Sequence, residues 1–120
     1  MAFKSAADLI AAAKQKIREV RVDDVKQMRA RKDPVTIIDV REPNEWNLGR
    51  IPGAMHIPRG VLETKIEAAV PRDQQIVLYC AGGNRSALAA DSLQQMGYDK
   101  VSSMAGGWTA WAQEGGEVEG

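Results

Sequence analysis

Apolar positions along the chain fall into two alternating patterns. Short apolar runs, rich in β-branched residues, predict strands. They lie at residues 17–21, 35–40, 54–57, 76–79 and 100–103. The run at 35–40 (Val-Thr-Ile-Ile-Asp-Val) is apolar almost throughout, as in a strand covered on both faces. Between the runs, apolar residues recur at helical spacing. Ser5 is placed to cap a helix to residue 16, with Ala6, Leu9, Ile10 and Ala13 on one face. Asp23 or Asp24 opens a second helix through Val25, Met28 and Ala30. Others are predicted at 61–69 and 85–96, the latter stopped by Gly97. Residues 41–46 read as a loop or a short helical turn. A last helix carries Trp108 and Trp111, which share a face and are expected to bury. Strands alternating with helices through short connections predict a three-layer α/β/α domain with a parallel sheet.

The expected organisation is an N-terminal helical extension at 1–16, one domain at 17–114 and a frayed, polar tail at 115–120. A chain of 120 residues suits a single core.

Composition narrows the function classes. The chain has 16 basic and 16 acidic residues, which gives no footprint for nucleic acid or an anionic membrane surface. One cysteine, Cys80, excludes an internal disulfide. With a single histidine, His56, there is no set of ligands for structural zinc, so no metal or cofactor is expected. No apolar stretch is long enough to span a bilayer. Lys4, Asp8, Lys14 and Lys16 interrupt the N-terminal apolar residues, so no signal-peptide core is read and the cytoplasm is the expected compartment.

The candidate chemistry sits where the run 76–79 ends. Cys80 is followed by Ala81, Gly82, Gly83 and Asn84, and then Arg85 and Ser86 open a helical pattern. A lone cysteine is ordinarily a small buried hydrophobe. A core cysteine, however, needs neither the glycines nor the arginine. A thiol at the end of a strand, facing a helix N-terminus, meets free backbone N–H groups and the positive end of the helix dipole. Such a loop can also cradle an anion. Cys80 thus reads as a nucleophile, with Arg85 adding positive potential. In parallel sheets ligands bind beyond the carboxyl ends of strands, which brings Asp39 and Arg41 near the same place.

Three segments carry a family resemblance. The first is Asp39-Val40-Arg41-Glu42, then Glu45-Trp46 and Gly49-Arg50-Ile51-Pro52-Gly53-Ala54. The second is Tyr79-Cys80 with the loop to Arg85-Ser86. The third is Met104-Ala105-Gly106-Gly107-Trp108 with Trp111. In this order and spacing the chain resembles a single-domain rhodanese from about residue 17 to 114. Arg50 stands where the family commonly has histidine.

The resemblance implies a five-stranded parallel sheet of the rhodanese-like fold and a thiosulfate sulfurtransferase. Cys80 would take the outer sulfur of a donor such as thiosulfate, become a persulfide, and yield the sulfur to cyanide, a thiol or a sulfur-relay protein. Ala81, Gly82, Gly83, Asn84 and Ser86 would form the anion-binding loop. Arg41 and Arg59 have two readings, as guides for an anionic donor or as surface charge. Asp39 reads as a support for the loop or for an arginine. A monomer or weak dimer is expected.

Two alternatives remain. Related cysteine-dependent phosphatases and arsenate reductases have five residues between cysteine and arginine, against four here, and position 81 is alanine. No general acid for an alkoxide leaving group is evident. A non-catalytic binding module of the same fold is disfavoured by the retention of Cys80, Gly82, Gly83 and Arg85.

Overall fold

The computed structural model describes residues 2–120. Its five strands are β1 (Arg18–Val20), β2 (Val35–Asp39), β3 (Met55–His56), β4 (Gln75–Tyr79) and β5 (Val101–Met104). All pair in parallel, in the order β1-β5-β4-β2-β3. The helices are α1 (Ala6–Lys16), α2 (Val22–Ala30), α3 (Pro43–Asn47), α4 (Leu62–Ala69), α5 (Asn84–Gln95) and α6 (Gly107–Gln113), with a 3-10 turn at Arg59–Val61 before α4.

The sheet separates two cores, because residues along each strand face it alternately. On one side Ile38, Ile76 and Leu78 pack with Leu62 and Ile66 of α4 and Ala89 and Leu93 of α5. On the other, Ile37, Val77 and Tyr79 pack with Val22 and Val25 of α2 and Trp111 of α6. The central strand β4 is buried from Ile76 to Tyr79, as its unbroken apolar run demands. α1 lies against α5. From β2 the chain moves outward to β3, then returns past β2 to β4. The order therefore reverses between β2 and β4, the place where such sheets bind ligands.

Several boundaries differ from expectation for local reasons. Ser5 caps α1 as predicted, in a reciprocal box with Asp8. α2 begins at Val22, because Asp24 reaches back to accept from the Arg21 amide at 2.8 Å rather than opening the helix itself. Trp111 is 1 % exposed, but Trp108 is only half-buried, with its ring 4.8 Å from the Arg41 guanidinium. The C-terminal residues make specific contacts. Glu119 forms an antiparallel bridge with Arg50, each amide donating to the other's carbonyl at 2.9 Å, and the Glu117 carbonyl accepts from Trp111 Nε1 at 2.8 Å. Among the described residues no helix is long and apolar enough to cross a membrane.

Candidate active site

The loop 80–86 joins β4 to α5 at the carboxyl end of the sheet. Gly83 is the N-cap of α5 with φ +98°, a conformation that glycine adopts freely. This turn aims two amides back at the cysteine. The Gly83 N–H donates to Cys80 Sγ at 3.1 Å and the Ser86 N–H at 3.4 Å. The Ser86 hydroxyl lies 3.5 Å from the sulfur, and 2.8 Å from the Ser103 hydroxyl at the end of β5. Cys80 is buried, and burial alone pushes its thiol pKa up. The Ser86 hydroxyl and the amides of Ser86, Gly83 and Gly82 outweigh that and hold it below the ordinary value. Of the other loop residues, Ala81 is half-buried, while Gly82 and Asn84 are exposed.

The loop is held from behind by the start of α6. The Trp108 N–H donates to the Cys80 carbonyl at 2.8 Å, and the Thr109 N–H donates to the Ala81 carbonyl at 3.0 Å. The approach is so close that Gly107, at φ +55°, has no room for a Cβ. Helix α6 thus spends two of its unpaired N-terminal amides on fixing the loop.

The predicted arginines are all present at this end of the sheet, and each holds a carboxylate. Arg85 meets Glu45 of α3 through two bonds, at 2.8 and 3.0 Å. That contact pulls the Glu45 carboxyl down to about 2 and raises Arg85, whose charge the Cys80 thiolate also favours. Arg59 pairs with Glu63 at 2.8 Å, and Glu63 also accepts from the Ser92 hydroxyl at 2.8 Å. Arg41 is 3 % exposed, forks onto Asp39 at 2.7 and 3.0 Å and donates to the Gly49 carbonyl at 2.7 Å. So enclosed, Arg41 is an internal ion-pair partner and not a surface charge. Asp39 is the partner that keeps it there.

Three supports had no role assigned from the sequence, although Glu45 and Gly107 lie in the segments that carry the family resemblance. Glu45 sits three residues after Glu42 and accepts its amide at 3.0 Å, a spacing that signals a helix start. Ser103 is a hydroxyl at 0 % exposure in a buried strand, which demands a partner. Gly107 follows another glycine at the opening of a helix. Among the described residues, no three His, Cys, Asp or Glu side chains gather as a metal ion would require.

Comparison with known proteins agrees with this arrangement. The family model described as "Rhodanese-like domain" matches residues 21–114. A sulfurtransferase of Allochromatium vinosum is 33 % identical over 99 residues, spanning 82 % of this chain and 92 % of that protein. A Mycobacterium tuberculosis protein, "Probable adenylyltransferase/sulfurtransferase MoeZ", is 37 % identical over 81 residues, or 67 % of this chain and 21 % of the longer protein. A Rhodopseudomonas palustris structure, of a protein of unknown function described as "Possible Tyrosine Phosphatase", is 34 % identical with a TM-score of 0.90, covering 99 % of this chain and 97 % of that one. The sheet order, the strand–Cys80–helix turn and the matched span together establish that this chain belongs to the rhodanese-like domain family.

Proposed function

We propose that the protein is a sulfurtransferase working through a persulfide on Cys80. The observation that carries this reading is the convergence of the Gly83 and Ser86 amides on Sγ, at 3.1 and 3.4 Å. Those donors stabilise the thiolate before reaction. They are equally suited to the anionic terminal sulfur after it. The thiolate attacks the outer sulfur of a donor such as thiosulfate. The sulfur–sulfur bond breaks and sulfite leaves with the electron pair, with no proton required. An acceptor thiol, cyanide or sulfur-relay protein then attacks the terminal sulfur and frees Cys80.

Catalytic roles fall to Cys80 and Arg85. The loop Ala81, Gly82, Gly83, Asn84 and Ser86 binds the anion, and Asp39, Arg41 and Arg59 support it. The similarity to a sulfurtransferase over most of both chains supports the reaction class. MoeZ, named for adenylyl and sulfur transfer, shares the similar segment within a longer protein, which supports a protein acceptor. With a single cysteine no internal disulfide can discharge the persulfide. An unpaired thiol of this kind fits a reducing compartment, the cytoplasm.

Mass spectrometry of the intact protein tests the reading. After thiosulfate the mass rises by one sulfur atom, and cyanide removes it as thiocyanate. Cys80→Ser shows neither. Unaltered thiocyanate production by that variant would refute the assignment.

A further inference from the structure

The carboxyl end of the sheet carries three arginines, and their charges are cancelled one by one. Asp39 neutralises Arg41, Glu63 neutralises Arg59 and Glu45 neutralises Arg85. Arg85 lies in the first turn of α5, next to Ser86 whose amide bonds the Cys80 sulfur, and its side chain is half-buried. Its partner belongs to a different element, 40 residues away in sequence. Glu45 is itself pinned, because the Glu42 amide donates to Oε1 at 3.0 Å while both carboxylate oxygens face the guanidinium. Arg85 therefore does not present a free cation to the cradle. The site has strong local N–H donors at Sγ but little net positive charge around it.

We propose that Glu45 is a positioning residue that sets the charge preference of the sulfur donor. By cancelling Arg85, it weakens the hold on dianionic donors relative to monoanionic ones. This rests on the sulfur-transfer reading above. The selection is electrostatic. Removing one negative charge near the cradle stabilises a bound dianion about twice as much as a monoanion, so the two fold-changes are related as a square.

The test compares thiosulfate, a dianion, with methanethiosulfonate, a monoanion that gives up the same outer sulfur. In both, the thiolate attacks that sulfur and the sulfur–sulfur bond breaks. The leaving group is sulfite in one case and methanesulfinate in the other. Glu45→Gln keeps an oxygen for the Glu42 amide and loses only the charge. At low ionic strength it should lower KM for thiosulfate about tenfold and for methanethiosulfonate about threefold, with kcat little changed. Adding Arg85→Ala should abolish both gains. Equal changes for the two donors, or none, would overturn the proposal.

Two further measurements separate it from the reading beneath it. Cys80 alkylation needs no sulfur donor, and Glu45→Gln should accelerate anionic iodoacetate over neutral iodoacetamide about threefold. An unchanged ratio would overturn the role of Glu45 whatever the donor. The wild type needs no variant at all. Its KM for thiosulfate should vary less than twofold between about 0.01 and about 0.2 M salt, because no net cation faces the donor. A steep rise would show that Arg85 acts as a free charge. Absence of sulfur transfer from either donor would instead refute the sulfurtransferase reading, leaving the alkylation ratio to judge Glu45.

Discussion

Gly107 lies so close to Cys80 that a Cβ on it would stand 2.3 Å from the Cys80 carbonyl oxygen. The contact joins the last helix to the nucleophile loop, and the Trp108 amide donates to that same carbonyl. Gly107→Ala must therefore push α6 off the loop or strain a positive φ. The expected cost is about 2–4 kcal/mol, from overpacking and a left-handed alanine together. Urea denaturation measures it. Alkylation of Cys80 at a fixed neutral pH should slow as well, because the loop amides lose their alignment. A loss below about 0.5 kcal/mol would mean the two segments are free to part.

The pH dependence of Cys80 should follow its hydrogen bonds more than its neighbouring arginine. The thiol is held below the ordinary cysteine value by Ser86 and the loop amides, working against burial. Its alkylation should therefore reach half its limiting rate below the pH typical of a free cysteine. Ser86→Ala removes the hydroxyl and should move that midpoint upward. Arg85→Ala should move it upward too, but by less, since Glu45 already engages the guanidinium. A larger shift for Arg85→Ala than for Ser86→Ala would reverse this ranking.

Arg41 should matter for stability rather than for donor capture. Its ion pair with Asp39 has side chains 4 % and 0 % exposed. Arg41→Ala strands a buried carboxylate and should destabilise the fold by about 3–5 kcal/mol. Adding Asp39→Asn should recover part of that loss, because the stranded charge is gone. Calorimetry or urea titration reads both. A stable Arg41→Ala protein with a raised KM for thiosulfate would favour the guiding role instead.

Local signals account for what the sequence made legible. The apolar run 76–79, the cysteine at its end and the two glycines sufficed to place a thiol under the N-terminus of α5. A β-branched run and a capping serine need only near neighbours, so β2 and α1 could be read directly. What stayed hidden were contacts between distant segments. The partner of Arg85 is Glu45, and the support for the Cys80 carbonyl is Trp108. Nothing in the spacing of either pair announces it. Arg41 and Arg59 kept two readings, anion guide or surface charge, because a sequence shows charges without their partners. The bridge from Glu119 to Arg50 likewise joins segments far apart in the sequence.

Sulfur and phosphoryl chemistry make different demands on the loop, and the chain resembles a structure described as a possible tyrosine phosphatase. A phosphatase loop must spread its amides over several oxygens of a phosphoryl group. Here four residues separate Cys80 from Arg85, and the Gly83 and Ser86 amides converge on a single sulfur position, at 3.1 and 3.4 Å from Sγ. A phosphatase also needs a protonated acid for an alkoxide or phenoxide leaving group. Glu45, the carboxyl that reaches the loop through Arg85, is held down at about 2 by that arginine and is ionised near neutral pH. Sulfite needs no proton. The wild type should therefore turn over thiosulfate and leave phosphotyrosine intact. Inserting one glycine between Gly82 and Gly83 should draw the amides away from the sulfur, slowing sulfur transfer by about tenfold or more, the order expected when an oxyanion-type donor is lost. Phosphate release from phosphotyrosine by the wild type, at a rate matching its thiosulfate turnover, would show that the loop serves phosphoryl transfer instead.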